Sequence, residues 1–154
     1  LGGRVVSGRV RLGVPDDYAM PYLTPVLRSF VPGYSSVEIV LECEQSTSLI
    51  PRVQRGELDL ALISRDAQRR GRLLFDEPMV WVGSCEFDVW RQATLPVAVY
   101  EPGSQARRGA LAALDAVGRS YRVVYNTPSL AGQLAAVESG IAVAALTRCS
   151  VPAH

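Results

Sequence analysis

The sequence has very little histidine and little cysteine. Its 154 residues contain one His, at the last position, and three Cys. A single histidine removes most histidine-based catalysis and most zinc sites. Cys43, Cys85 and Cys149 are far apart and form no Cys-x-x-Cys motif. We therefore expect reduced thiols in a cytoplasmic protein.

An excess of charge and a long apolar run are also missing. The formal net charge is +1, whereas a domain that binds nucleic acid by itself usually carries a strong basic excess. Direct DNA binding is therefore not expected. The longest clean apolar run, residues 141–146, suits a buried strand and is too short to cross a membrane. The first residues also lack the pattern of a signal peptide, so no membrane partner is expected.

The composition that is present is that of a folded chain. Apolar residues make up 48% and charged residues 20%, and the length is sufficient for a real core. The sequence shows no carboxylate pair with a credible partner, no Ser-His set and no metal-binding cluster. We expect no catalytic residue, no metal and no cofactor, and we expect that the chain is not an enzyme.

Apolar segments and helix-breaking residues alternate along the chain in a strand–helix order. The strands are predicted over residues 9–14, 37–43, 59–63, 73–75, 79–83, 96–100, 121–125 and 141–146. The helices are predicted over residues 18–31, from 47 or 48 to 56, 105–117 and 127–139. Pro21 and Pro51 are each placed in the first turn of a helix, because proline disrupts a helix interior.

Successive strand–helix–strand units predict right-handed crossovers and parallel sheets. The pattern restarts near residues 82–86, which predicts two α/β units in succession. We expect residues 1–8 to be a linker remnant, residues 9–84 a first lobe and residues 85–154 a second lobe.

Three stretches carry a resemblance to a known family. They read GRVRLG at 8–13, GELDLALI at 56–63 and VESGIAVAAL at 137–146. Together they resemble the effector-binding domain of LysR-type transcriptional regulators. The resemblance implies an α/β fold of two Rossmann-like lobes joined by a hinge, similar to type 2 periplasmic binding proteins. It also implies that the fold is incomplete at the C-terminus, with an incomplete first lobe of reduced stability.

The same resemblance implies a function. A small-molecule effector would bind between the two lobes, and the change would pass to DNA-binding domains absent from this chain. The expected assembly is a homodimer or homotetramer, with DNA contacted only through a winged helix-turn-helix that precedes the domain in the family. The alternative is a stand-alone small-solute-binding protein of the same fold. An enzyme on a related two-lobed scaffold is a third possibility.

Ligands of open α/β sheets sit at the carboxyl ends of strands, beside helix N-termini. Four junctions of this kind are predicted at residues 15–18, 44–48, 100–104 and 126–129. Their polar side chains, with one that follows the third strand, are the ligand-binding candidates: Asp16, Asp17, Ser46, Thr47, Ser48, Ser64, Tyr100, Glu101, Asn126 and Thr127.

Each candidate also has a structural interpretation. The aspartates and Ser48 can cap helices, and Thr127 can cap a helix that starts at Pro128. Ser64 can belong to a plain turn. Arg107 and Arg108 oppose the dipole of their helix, which indicates either a nearby anion or two solvated arginines. Trp81 and Trp90 are expected to pack rather than to stack on a ligand.

Overall fold

The computed structural model describes residues 3–153, so the first two residues of the predicted linker lie outside the described part. Residues 3–7 have no regular secondary structure. The chain divides after Ser64 into two compact units. The predicted lobes divide instead between residues 84 and 85.

The first unit contains a three-stranded parallel sheet. Its strands are β1 (Gly8–Val14), β2 (Val37–Cys43) and β3 (Leu60–Ala61), in the order β2-β1-β3. The prediction for β2 is confirmed. β3 is shorter than predicted, although the N–H groups of Asp59 and Leu62 also donate to β1 carbonyls, at 2.9 Å each. Leu60 is 59% exposed, so β3 is not buried on both faces.

The first helical segment changes its winding at a proline. It consists of α1 (Asp16–Tyr18), a π turn (Ala19–Leu23) and α2 (Thr24–Phe30). Pro21 lies in the π turn, so its predicted place in a first turn is wrong. Proline cannot donate an i→i−4 hydrogen bond, and the wider turn accommodates it.

The next helix, α3 (Ser46–Gln54), contains Pro51 in its interior, where a first-turn position was predicted. It starts earlier than expected, with Gln45 as N-cap and no side-chain cap hydrogen bond. The interpretation of Ser48 as the cap is therefore wrong. Gly56, with a φ of +72°, ends the helical region as predicted.

The second unit contains a mixed four-stranded sheet. Its strands are β4 (Met79–Val82), β5 (Leu95–Val99), β6 (Tyr121–Asn126) and β7 (Val143–Thr147), in the order β4-β7-β5-β6. β5 is parallel to β6 and β7, but β4 is antiparallel to β7. This pairing binds residues 79–82 to the second unit, which explains the earlier boundary. The strand predicted over residues 73–75 is absent.

Two helices cover the two faces of this sheet. α4 (Gln105–Ala116) packs Leu114 against the start of the strands, and α5 (Leu130–Glu138) packs Ala136 and Val137 on the other face. Ser104 caps α4 by accepting from the N–H of Arg107. No helix among residues 3–153 combines the length and apolar character that a membrane crossing needs.

Candidate functional site

Three chain segments of the first unit meet beyond the carboxyl ends of its parallel strands. Ser46 Oγ, at the start of α3, accepts the N–H of Ser64 at 2.9 Å. The Tyr18 hydroxyl lies 3.1 Å from Ser64 Oγ. The structure therefore brings together two predicted candidates and adds Tyr18, which the sequence did not single out. We call Tyr18, Ser46 and Ser64 the hydroxyl cluster.

The other candidates of this unit lie around the hydroxyl cluster in different environments. Thr47 is exposed, whereas Asp17 is buried. The side chain of Ser48 donates to the carboxylate of Glu44. The N-cap of α1 is Pro15, so the interpretation of Asp16 or Asp17 as the cap is wrong. Both carboxylates lie in the first helical turn, where negative charge complements the helix dipole.

Ion pairs hold the loops that carry these residues. Arg52 contacts the carboxylates of Glu42, Glu44 and Glu57. Since Glu44 lies directly between β2 and α3, these pairs restrain the loop that leads to Ser46. Arg52 thus helps to hold Ser46 of the hydroxyl cluster in position through its ion pairs.

A second ion pair fixes the turn before β3. The guanidinium of Arg11 contacts Asp59 at 3.0 Å and donates to the carbonyl of Gly56 at 2.8 Å. The side-chain hydrogen bond from Arg11, together with its backbone N–H, lowers the pKa of Asp59 from 3.8 to about 2. The turn that leads into β3 is therefore tied to β1.

An arginine connects the corresponding loops of the second unit. Nη1 of Arg107 donates to the carbonyl of Tyr100 at 2.9 Å and to Oδ1 of Asn126 at 2.6 Å. Tyr100 directly follows β5, and Asn126 is the last residue of β6. The interpretation of Arg107 as a solvated side chain is therefore wrong, and the one for Arg108, which is exposed, stays open.

The remaining candidates of the second unit have distinct positions. Tyr100 is buried and Glu101 is half-buried. Thr127 Oγ1 accepts the N–H of Ser129 at 3.2 Å, and Ser129 is the N-cap of α5. The prediction that Thr127 caps the helix is therefore wrong. The helix begins at Leu130, beyond Pro128, because the Thr127–Ser129 turn occupies the residues before it.

The hydroxyl cluster of the first unit and the candidate residues of the second unit are both suited to the recognition of polar ligands. Hydroxyls, a side-chain amide and main-chain N–H groups at helix N-termini can hold a carboxylate or a similar small polar group. Within residues 3–153, no three His, Cys, Asp or Glu side chains are grouped in a way that could hold a metal ion.

Known proteins resemble this chain along almost its whole length. The LysR substrate binding domain family matches residues 3–154. The HTH-type transcriptional regulator DgdR of Burkholderia cepacia is 35% identical over 99% of this chain and 52% of the relative. The HTH-type transcriptional regulator PecT of Dickeya dadantii (strain 3937) is 24% identical over 90% of this chain and 44% of the relative. The chain thus spans about half the length of these curated relatives.

Solved structures show the same fold. The regulatory domain of CcmR from Synechocystis PCC6803, in complex with 2-PG, has a TM-score of 0.78 and 19% identity over 96% of this chain and 76% of that structure. The effector binding domain of QuiR, in complex with shikimate, has a TM-score of 0.79 and 11% identity over 93% of this chain and 75% of that structure. The predicted α/β fold, of the type 2 periplasmic-binding-protein kind, is confirmed.

Proposed function

The chain belongs to the LysR substrate-binding domain family, and from this membership we propose that it senses a small organic acid for a transcriptional regulator. Its curated relatives are transcriptional regulators about twice its length. One structural neighbour holds shikimate, which is a carboxylic acid. These likenesses favour a sensing role over that of a stand-alone solute-binding protein.

The hydroxyl cluster is the observation that carries the proposal. Its groups come from three separate segments, and one helix N-terminus supplies main-chain N–H donors beside them. The proposed ligand carboxylate accepts hydrogen bonds from these N–H groups and from the hydroxyl of Thr47, an exposed residue. Ser46 and Ser64 fix the geometry of the loops that present them.

The second unit offers its own set of contacts. Asn126 is exposed, and Arg107 fixes its side-chain amide oxygen. The amide nitrogen of Asn126 is then directed by that hydrogen bond and can donate to a hydroxyl or carbonyl oxygen of a ligand. We propose Asn126, Tyr100 and Glu101 as the polar contacts that distinguish one effector from another.

Signalling follows from a difference in affinity. A ligand shifts an equilibrium between two conformations only as far as it binds one of them more tightly. In the proposed regulator, this shift changes the arrangement of the DNA-binding domains. The chain itself carries too little net positive charge to suggest direct DNA binding.

We also propose that the first unit mediates self-association. β2 is an edge strand, and its Leu41 is 43% exposed. On α2, Val26 is 60% exposed. An open strand edge beside exposed apolar side chains is suited to an isologous dimer. Light scattering on a size-exclusion column tests for this dimer.

The ligand proposal is tested by calorimetric titration with shikimate, glycolate, lactate and benzoate. We expect at least one of these acids to bind. Thr47→Val should lower the affinity for that acid without disturbing the hydrogen bond between Ser46 and Ser64. Ser29→Ala is the matched control, because it removes an exposed hydroxyl from α2. Binding that is unchanged by Thr47→Val would contradict the site, and the absence of binding across the panel would contradict the ligand class.

A further inference from the structure

A cavity of about 400 Å³ opens in the second unit, and its lining contains none of the candidate ligand-binding residues. It lies where β5 and β7 begin, at Leu95 and Val143, and where the antiparallel strand β4 ends, at Val82. The candidate residues Tyr100 and Asn126 belong to the opposite end of the same sheet. The cavity is therefore separate from the proposed effector contacts of this unit.

The floor and the walls of the cavity differ in their exposure. Leu95, Leu114 and Val143 form a floor that belongs to the buried core on the α4 face. Trp81 and Trp90, the two tryptophans of the sequence, line it as well and are 41% and 50% exposed. Half-exposed indole rings over an apolar floor favour an aromatic occupant.

One wall of the cavity is held in place before any ligand arrives. The guanidinium of Arg119 donates to the carbonyls of Trp90, Gln92 and Ala93, at 3.1, 2.6 and 3.2 Å. The guanidinium of Arg91 also lies over the ring of Trp90, 4.7 Å from its centre. A wall with this many restraints loses little freedom when a ligand binds.

The polar groups of the lining define what the occupant must carry. The lining contains no carboxylate. Ser84 Oγ accepts the N–H of Glu86 at 3.1 Å, so its own proton remains to be donated. Indole N–H groups are also donors, and Arg119 is occupied by main-chain carbonyls. An oxygen acceptor of a neutral molecule satisfies these donors without the desolvation cost of a full charge, and the positive charge of Arg119 disfavours a cation.

We propose that this cavity is a second ligand site, for a small neutral aromatic molecule that carries a carbonyl or hydroxyl oxygen. Its volume lies at the lower end of the range of roughly 300–1,000 Å³ that is usual for small-molecule pockets. The donors of the lining face the oxygen, and the apolar floor and the indoles receive the ring. The proposal does not depend on the identity of the acid bound elsewhere.

The probe for this site is para-fluoroacetophenone, a neutral aromatic ketone, followed by fluorine NMR of the probe and by tryptophan fluorescence. We expect saturable binding that changes the emission of the indoles. Gly83→Val should weaken binding about tenfold or more, because its added methyl groups occupy the space of the ligand. A Cβ at this position would lie 3.6 Å from Val143 and 3.8 Å from Trp90, so the backbone has room for the substitution.

Gly109→Val is the matched control, because nothing lies within 4 Å of a Cβ at this position on α4. It should leave the affinity for the probe unchanged. Ser84→Ala provides a second variant and should weaken the ketone but not para-fluorotoluene, which lacks the oxygen. The absence of saturable binding, or equal losses in Gly83→Val and Gly109→Val, would overturn the proposal. A third result would also overturn it: Gly83→Val changes the oligomeric mass and the parent chain binds no probe. The cavity would then be part of an interface between copies of the chain.

Discussion

The two units of this chain are stabilised in different ways. Among residues 3–153, the buried hydrophobic side chains of the first unit are Val14, Tyr18, Leu49 and Leu58, and all others belong to the second unit. The second unit has a buried cluster on each face of its sheet. The first unit instead relies on ion pairs between distant residues, such as Arg9 with Glu38 and Arg11 with Asp59.

This difference predicts unequal stability. Burial of apolar surface contributes about 25 cal/mol per Å², whereas an exposed ion pair typically contributes about 1 kcal/mol or less. The ion pair of Arg9 with Glu38, for example, is more than half exposed. A unit with few buried side chains and with ion pairs that are partly or largely exposed should therefore open more readily than its neighbour.

The largest expected effect comes from emptying the smaller core. Leu49→Ala removes a fully buried side chain of the first unit and should cost about 3 kcal/mol. Leu146→Ala removes an equally buried leucine of the second unit at a similar cost. Because the first unit has fewer buried side chains and a lower expected stability, Leu49→Ala should abolish its protection in amide hydrogen exchange. Leu146→Ala should leave β5 and β7 protected.

The internal control for this experiment is the other unit in each variant. Both tryptophans lie in the second unit, so their fluorescence follows its unfolding alone. The tryptophan transition in urea should move with Leu146→Ala and stay in place with Leu49→Ala. If either variant loses protection in both units together, the two units unfold as one cooperative body. The proposed difference in stability between them would then be wrong.

A smaller effect is expected at two glycines that end helical regions. Gly56 and Gly140 have φ values of +72° and +71°, one in each unit. Nothing lies near a Cβ at Gly56, whereas a Cβ at Gly140 would lie 2.6 Å from the ring of Phe87. Gly56→Ala should therefore cost only the conformational strain, about 1 kcal/mol, and Gly140→Ala about 2 kcal/mol.

The measurement is the change in unfolding free energy in urea, from tryptophan fluorescence for Gly140→Ala and from hydrogen exchange of β1 for Gly56→Ala. The double variant Gly140→Ala with Phe87→Ala separates the two contributions. When the double variant is compared with Phe87→Ala alone, the loss of unfolding free energy caused by Gly140→Ala should equal the loss caused by Gly56→Ala. An equal cost at the two positions in the original background would mean that Phe87 does not pack as the structure shows.

The sequence predicted the elements better than their connections. The bounds of β2 and the ends of the helical regions at Gly56 and Gly140 depend on local chemistry and are confirmed. The antiparallel pairing of β4 with β7 was not predicted, because a four-residue apolar strand carries no information about its direction or its distant partner.

The candidate site shows the same limit. Ser46 and Ser64 were each predicted to follow a strand, and the carboxyl ends of parallel strands meet at one edge of a sheet. Tyr18 and Arg107 were not assigned their contacts, because long side chains reach across loops whose conformation depends on the whole fold. The ligand-binding roles of the candidate residues stay predictions.

The smallest expected effect, and the most selective one for the first unit, is its response to acid. Arg11 lowers the pKa of Asp59 from 3.8 to about 2, and Arg55 also lowers the pKa of Glu57. A carboxylate whose pKa is lower in the folded state stabilises the fold above its unfolded pKa. This stabilisation is lost as the pH falls through 3.8 towards 2. The first unit should therefore lose protection in this window more steeply than the second.

Asp59→Asn tests this directly, because asparagine keeps the shape of the side chain and cannot titrate. Hydrogen exchange of β1 should show a smaller dependence on pH below 3.8 in the variant than in the parent chain. Asp115→Asn, at an exposed position on α4, is the control and should leave this dependence unchanged. Identical pH profiles for Asp59→Asn and the parent would mean that the Arg11 pair does not anchor the turn before β3. The ion pairs would then no longer explain how a unit with so few buried side chains holds together.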